Sequence, residues 1–233
     1  MKIFQTLIVG LQILHICNGQ YESDSTTSKP KSLAGPPSPS PPPLTTISPP
    51  LPSTRAPSSC PQDVLFVLDS TGSVAHVYEK QRKYLLDISS QLDIGPLGSH
   101  VGLILYSSKA RQGIIVKLDE MPTKEKFMQT ISALPFHGGT TATGSALDLS
   151  RKALEKKASD RKTIVLVLTD GFSFDETKKA AESLRGAAGP DQVLAVGNTD
   201  HVLRSVLLEI AGSDANILLG EENKTKVISR VKC

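Results

Sequence analysis

One stretch of the sequence decides the fold class: Asp63-Val-Leu-Phe-Val-Leu-Asp69-Ser-Thr71-Gly-Ser73-Val74. Its first half is short and almost wholly apolar, which is typical of a strand buried on both faces. The run ends at a carboxylate, and hydroxyls follow at Thr71 and Ser73 on either side of a glycine that permits a tight turn. We predict that Ser73 is the N-cap of the next helix. A strand end, an oxygen-rich loop and a helix start predict a binding site at the carboxyl edge of a parallel sheet.

The rest of the sequence, from Pro61 onward, alternates between strand and helix patterns. Apolar residues recur at helical spacing from Val74 to Leu92. Further strands are predicted at 101–106, 112–118, 162–169, 192–196 and 215–219, and further helices at 123–134, 144–157, 175–184, 201–210 and 222–231. The connection before 112–118 is too short for a parallel crossover, so this strand is predicted to be an antiparallel edge strand. The highly apolar strand at 162–169 is placed at the sheet centre.

This alternation predicts an α/β fold, a doubly wound and mostly parallel sheet of about six strands with helices on both faces. The chain has 233 residues, a formal net charge of +3 and no Trp. Because it has no dense basic cluster and few aromatic residues, the sequence does not favour nucleic-acid binding.

The first 59 residues are predicted to lie outside the folded domain. Residues 1–19 have a positive start and a short apolar run, which is typical of a secretory signal peptide; a membrane anchor is the alternative interpretation. Residues 20–59 are rich in Pro, Ser and Thr, which predicts an extended linker, either O-glycosylated or undecorated. Residues 60–233 form the predicted domain. The mature protein is therefore expected to be secreted and extracellular.

Two cysteines, Cys60 and Cys233, remain after removal of the signal peptide. An even pair in an oxidising compartment predicts one disulfide between the start and the end of the domain. Two unpaired thiols, or links to other chains, are the alternative. Asn223-Lys-Thr225 is an N-glycosylation sequon.

Three separate stretches resemble the metal-binding motifs of von Willebrand factor type A domains. They are Asp69-x-Thr71-x-Ser73, Thr141-Ala-Thr143-Gly-Ser-Ala-Leu147 and Leu168-Thr169-Asp170-Gly171. The resemblance covers roughly residues 61–231 and implies the metal ligands Asp69, Thr71, Ser73, Thr141 and Asp170. Counting from Gly138-Gly139 would select Thr140 in place of Thr141. Thr71 stands where the family usually has Ser, and its extra methyl group could crowd the loop.

The predicted ligands are all oxygen atoms, which fit a hard ion such as Mg²⁺, Mn²⁺ or Ca²⁺ and do not fit zinc. Asp69 and Asp170 would face one crevice if their strands are neighbours, and their two charges would balance a divalent cation. The resemblance implies an open coordination position that an acidic side chain of an extracellular protein partner completes. The alternative is that these residues only cap a turn and a helix.

The favoured function is a secreted recognition or adhesion module that binds a protein ligand through the metal, with matrix components among the candidate ligands. The sequence has no G-x-S-x-G elbow, P-loop or G-x-G-x-x-G fingerprint, so we do not expect an enzyme. Two alternatives stay open. One is a metal-dependent phosphohydrolase that uses Asp69 as nucleophile, with phosphate at the N-terminus of the helix after Ser73. The other is a metal-free structural spacer.

Overall fold

The computed structural model describes residues 62–157 and 161–232. The predicted signal peptide, linker and Cys60–Cys233 disulfide lie outside these residues. The strands are β1 (Gln62–Asp69), β2 (His100–Tyr106), β3 (Gln112–Val116), β4 (Lys162–Leu168), β5 (Val193–Gly197) and β6 (Ile217–Leu219). The helices are α1 (Tyr78–Gln91), α2 (Lys124–Ser132), α3 (Thr143–Leu154), α4 (Lys178–Ala188), α5 (Arg204–Ala211) and α6 (Lys224–Lys232).

The strands form one sheet in the order β3-β2-β1-β4-β5-β6. β3 is antiparallel to β2 at one edge, and the other neighbouring pairs are parallel, which confirms the predicted fold class. β1 and β4 occupy the centre. The chain leaves β1 towards β2 on one side and later returns to β4 on the other side, so the strand order reverses between β1 and β4. This reversal is where parallel sheets commonly bind ligands.

The core lies on both faces of the sheet, which explains why β1 is apolar without alternation. Val64, Phe66 and Leu68 face the layer that contains the buried side chains of α1, α2 and α6, whereas Leu65 and Val67 face α3, α4 and α5. All eight residues of β1 are buried. Because the sheet is covered on both sides, ligand access is left to its edges and strand ends.

The prediction that Ser73 caps the first helix is wrong. Gly72–Val74 form a single 3-10 turn, and α1 begins only at Tyr78. The Ser73 hydroxyl lies 3.1 Å from the Thr71 hydroxyl, and no side-chain cap stabilises the start of α1. The loop after β1 is instead held by a backbone bond from Gly72 N–H to the Gly139 carbonyl, 2.9 Å long.

Two other predicted helices begin close to a polar side chain. Thr123, the first residue of the helix predicted at 123–134, is the N-cap of α2, since its hydroxyl accepts from Lys126 N–H at 3.3 Å. The predicted helix at 175–184 begins later, at Lys178, because the Asp175 carboxylate accepts from the first turn of α3 instead.

Across the described ranges 62–157 and 161–232, no helix has the length and apolarity needed to cross a bilayer.

Candidate functional site

The predicted site residues lie on three loops at the carboxyl edge of the sheet. Asp69 ends β1, and Thr71 and Ser73 lie on the loop that follows. Thr141 lies on the loop before α3, and Asp170 lies two residues beyond the end of β4. Because β1 and β4 are paired in parallel, both carboxylates emerge at the point where the strand order reverses.

Asp69 is fully buried and held on both of its oxygens. Oδ1 accepts from Thr71 N–H at 2.9 Å. Oδ2 accepts from the Thr169 hydroxyl at 2.7 Å and from the Tyr106 hydroxyl at 3.1 Å. A carboxylate has about four lone-pair positions, so these three donors fix its orientation and leave acceptor capacity for a cation or a water.

The pKa of Asp69 is raised from 3.8 to about 6. Burial is the main cause, because it removes water from the charged form, and the nearby Asp170 charge raises the pKa further. Hydrogen bonds from Thr71 and Thr169 oppose this shift without cancelling it. Burial therefore makes the charged form of the Asp69 side chain energetically costly. A bound cation would lower this cost by compensating the negative charge.

Backbone and hydroxyl contacts join the loop after β1 to the loop before α3. Ser70 accepts on its carbonyl from Gly138 N–H and on its hydroxyl from His137 N–H, at 2.9 and 2.8 Å. The Ser107 hydroxyl donates to the Gly138 carbonyl, and the Ser107 carbonyl accepts from Ala142 N–H at 2.8 Å. Main-chain atoms and the hydroxyls of Ser70 and Ser107 therefore hold the loops after β1 and β2 against the loop before α3.

Asp170 is almost fully buried, and its Oδ1 accepts from Phe172 N–H at 3.0 Å. Its other oxygen makes no hydrogen bond within the described residues. The turn after Asp170 depends on Gly171, whose φ is +87°. A Cβ added at this position would lie 2.8 Å from the Leu203 carbonyl oxygen. This glycine lets the chain leave β4 sharply while the Asp170 side chain stays at the strand end.

Thr141 and Thr140 differ in their surroundings. Thr141 is 3% exposed and its carbonyl accepts from Phe174 N–H, whereas Thr140 is exposed. Thr141 therefore remains the predicted ligand of this loop. Thr143, at the start of α3, lies 3.3 Å from the Tyr106 hydroxyl and so belongs to the network behind Asp69.

Sequence reasoning missed Tyr106 and Ser107, and it gave no role to Thr169, although Thr169 lies in one of the three motifs. Tyr106 ends β2 and orients Asp69, while Thr169 follows β4 and lies beside Asp69 because Leu68 pairs with Leu168. Each has a polar atom at the end of an apolar strand. That position is the signal that could have found them, because it is shared with Asp69.

The residues present fit a hard divalent cation. Within the described residues no group of three or more His, Cys, Asp or Glu could hold a metal, so an ion here needs hydroxyl ligands as well as the two carboxylates. Asp69 and Asp170 supply the negative charge, and the hydroxyls of Thr71 and Ser73 are neutral oxygens 3.1 Å apart. Oxygen ligands of this kind suit Mg²⁺, Mn²⁺ or Ca²⁺.

The family model of the von Willebrand factor type A domain matches residues 63–228. The chain belongs to this family. This von Willebrand factor type A domain is 30% identical over 168 residues to the transmembrane cell adhesion receptor mua-3 of Caenorhabditis elegans, covering 67% of this chain and 4% of that protein. It is 35% identical over 133 residues to the human collagen alpha-1(XXI) chain, covering 55% and 14%. Bovine matrilin-1 is 30% identical over 159 residues, covering 65% and 28%. The chain thus spans less than a third of each of these relatives.

Solved structures show the same fold at lower identity. One is proximal thread matrix protein 1 of the mussel byssus, which is described with a zinc-occupied MIDAS (metal-ion-dependent adhesion site) motif. Its TM-score is 0.62 at 20% identity, covering 74% of this chain and 47% of that one. The manganese-loaded Plasmodium vivax TRAP protein has a TM-score of 0.63 at 16% identity over 73% of this chain and 72% of that one.

Proposed function

We propose that this von Willebrand factor type A domain is a secreted recognition module that binds an extracellular protein partner through a divalent metal ion. The observation that carries the proposal is the pair of buried carboxylates, Asp69 and Asp170, at the ends of adjacent central strands. Burial, and to a smaller extent the Asp170 charge, raises the pKa of Asp69, and a cation between the two carboxylates would offset the cost of burying both.

The proposed ligands are the two carboxylates and three hydroxyls, namely Asp69, Asp170, Thr71, Ser73 and Thr141. The hydroxyls add oxygen atoms without adding charge, so the ion would stay electrophilic towards a further negative ligand. An acidic side chain of the partner would complete the coordination. We propose Mg²⁺ as the ion, with Mn²⁺ or Ca²⁺ as substitutes of the same hard character.

The relatives support a role in recognition outside the cell, since their names include a cell adhesion receptor, a collagen chain and a matrilin. Two solved structures of the same fold are described with zinc or manganese. These descriptions support a divalent ion in a domain of this fold, and calorimetric titration tests the proposed Mg²⁺ against the other ions.

The phosphohydrolase alternative has less support from the geometry. Both oxygens of Asp69 are engaged by N–H or O–H donors, and the side chain is buried, whereas a nucleophile needs access to its substrate. The helix N-terminus that this alternative requires begins at Tyr78 instead of after Ser73. Phosphate at this helix start would therefore lie farther along the chain from Asp69 than the sequence predicts.

Metal binding should depend on these ligands in a graded way. Asp69→Ala should abolish Mg²⁺ binding, because one of two charged ligands is lost. Thr141→Ala should weaken it by roughly tenfold, or about 1.4 kcal/mol, because a neutral ligand is lost. Thr71→Ser should bind close to wild type, since it keeps the hydroxyl. Calorimetric titration of Mg²⁺ and Mn²⁺ into each variant measures this.

Thr140→Ala is the matched control for this series, because Thr140 is the exposed neighbour of Thr141. A greater loss of affinity in Thr140→Ala than in Thr141→Ala would assign the loop ligand to Thr140. If the wild type binds no divalent ion, the domain is the metal-free spacer, and the proposed function is wrong.

The segments before the described residues and the sequon at Asn223 are also part of the proposal. We propose that residues 1–19 are removed on secretion, that residues 20–59 form a linker and that Asn223 carries a glycan. The Asn223 side chain is partly buried and donates to the Leu219 carbonyl at 2.6 Å, so the acceptor nitrogen is held at the start of α6.

We also predict a disulfide between Cys60 and Cys233. The loop it would close is very long, so the chain-entropy model gives stabilisation on the order of 5 kcal/mol, an upper figure. Peptide mapping of the secreted protein without reduction should recover the two cysteine peptides linked. Alkylation of both thiols in the unreduced protein would contradict the pairing.

A further inference from the structure

Half of the exposed large apolar side chains in the described residues lie around the candidate metal site. Eight such side chains are exposed, and four of them are on loops that carry or contact the site: Phe136, Phe172, Phe174 and Leu203. We name these four the apolar rim. Phe174 has the most exposed side chain of the eight, at 84%. Apolar groups gathered around a polar site mark an interaction surface more often than apolar groups scattered singly.

The two phenylalanines after Asp170 are joined to predicted ligand residues through their backbone N–H groups. Phe172 N–H donates to Asp170 Oδ1 at 3.0 Å. Phe174 N–H donates to the Thr141 carbonyl, also at 3.0 Å. Since each bond joins a rim residue to a predicted ligand, the rim is positioned with the metal site.

The loop that carries Phe174 is locked from its other side by Asp175. The Asp175 carboxylate accepts from Gly144 N–H at 2.8 Å, from Ser145 N–H at 2.9 Å and from the Ser173 hydroxyl at 2.8 Å. The first two donors belong to the start of α3, where a carboxylate is also favoured by the helix dipole. These bonds fix the backbone of the loop on which Phe174 lies, and the phenyl group projects from that fixed loop with 84% of its surface exposed.

A groove of about 420 Å³ lies between Phe174 and the Thr141 loop. Residues 108–110 and 140–142 form its walls with Phe174 and Asp175. Lys109 is exposed and makes no ion pair within the described residues, whereas the Asp175 charge is taken up by its three donors. Phe174 therefore gives the groove an apolar wall, and Lys109 adds a positive charge. The loop that carries the predicted ligand Thr141 forms a further wall.

We propose that the partner presents an Asp or Glu directly beside a large apolar residue. The acidic side chain would reach the metal, and the apolar side chain would enter the groove against Phe174, near Lys109. This inference rests on the proposed function and adds a sequence preference for the partner. Aromatic and apolar anchors beside a polar contact commonly carry the affinity of an interface.

The test uses the full secreted chain and an array of synthetic peptides. Each peptide carries one Asp at a fixed position in a Gly/Ser background, and the residue on either side of the Asp is varied. The array is probed in Mg²⁺ and in EDTA with wild type, Phe174→Ala and Leu97→Ala. Leu97 is the matched control because its side chain is 67% exposed and it lies just before the amino-terminal end of β2. The candidate site, by contrast, lies at the carboxyl-terminal ends of the strands.

Wild type should capture peptides with Phe, Leu, Ile or Met beside the Asp at least tenfold more strongly than those with Gly or Ser, and only in Mg²⁺. Phe174→Ala should lose this preference while its calorimetric Mg²⁺ affinity stays within about twofold of wild type, a change of about 0.4 kcal/mol. Leu97→Ala should keep both.

Three results would overturn the inference: equal Mg²⁺-dependent capture whatever the flanking residue, an unchanged preference in Phe174→Ala, or no Mg²⁺-dependent capture of any Asp peptide. The first two leave the proposed function intact. The proposed function fails separately, if the wild type binds no divalent ion in the calorimetric titration.

Discussion

Asp69→Asn should stabilise the metal-free domain at about pH 7.5 by up to about 3 kcal/mol and should also abolish metal binding. The pKa of Asp69 is raised to about 6 by burial and, to a smaller extent, by Asp170. A rise of the pKa from 3.8 to about 6 corresponds to about 3 kcal/mol of differential stability, because each tenfold change in the acid dissociation constant corresponds to about 1.4 kcal/mol. Asn keeps the shape of the side chain without its charge: its carbonyl oxygen can accept from Thr71 N–H, and its amide nitrogen can donate to the Thr169 and Tyr106 hydroxyls, which then turn to accept.

The sign of this effect follows from proton linkage. Because the folded-state pKa lies above the unfolded-state value of 3.8, the folded domain favours the protonated acid. The contribution of Asp69 to stability is therefore fully present below about pH 4 and is lost as the pH rises through about 6. The advantage of the Asn variant should accordingly be largest at neutral pH and disappear in acid.

Chemical denaturation in EDTA at about pH 7.5 and about pH 4 measures this difference. Adding Mg²⁺ should then stabilise only the wild type, because only a ligand that binds the folded state raises the free energy of unfolding. A wild type that is at least as stable as the Asn variant in EDTA at neutral pH would show that the buried charge carries no penalty. Stabilisation of the Asn variant by Mg²⁺ would show that Asp69 is not an essential ligand.

Gly144→Ala should destabilise the domain by about 3 kcal/mol, although Ala normally favours a helix. A Cβ at Gly144 would lie 2.1 Å from the Glu176 carbonyl oxygen and 2.9 Å from its carbon. Both are backbone atoms, so relief requires moving the chain that leads from the apolar rim into α4. Overpacking of a close backbone contact commonly costs about 1–3 kcal/mol, and this approach is shorter than most.

Gly186→Ala is the matched control, since Gly186 is also helical but a Cβ placed there would meet no atom within 4 Å. This substitution should stabilise the domain by roughly 0.5–1 kcal/mol through helix propensity alone. Denaturant titration of both variants in EDTA separates the two effects. Equal stability of the Gly144 variant and the wild type would mean that the loop at Glu176 moves aside freely.

The sheet could be predicted from sequence because strands buried on both faces leave a local signal. The apolar runs of β1 and β4 place them at the centre, and the short connection before β3 requires an antiparallel edge strand. The start of α1 could not be predicted, because the Ser73 hydroxyl has two possible partners, a backbone N–H or the Thr71 hydroxyl. Only the folded loop shows that it lies against Thr71.

The positions of the candidate ligands could be predicted because each lies in a short motif at a strand end. The hydrogen bonds that orient Asp69 could not, because Tyr106 and Thr169 reach it from β2 and from the end of β4, 37 and 100 residues away. The exposure of Phe174 could not be predicted from the sequence either. An aromatic residue is expected in the core, whereas the hydrogen bonds of Asp175 and of the Phe174 backbone fix a loop on which this phenyl group is exposed.

The course of β1 gives the domain a mechanical direction. The chain enters β1 at Gln62 and reaches Asp69 at the far end, so a partner held at the site and the chain before Gln62 would pull on opposite ends of one strand. The hydrogen bonds of β1 to β2 and β4 run across that line of tension. They would be loaded together in shear instead of opening one after another, so a pull along this axis would meet the resistance of the whole strand at once.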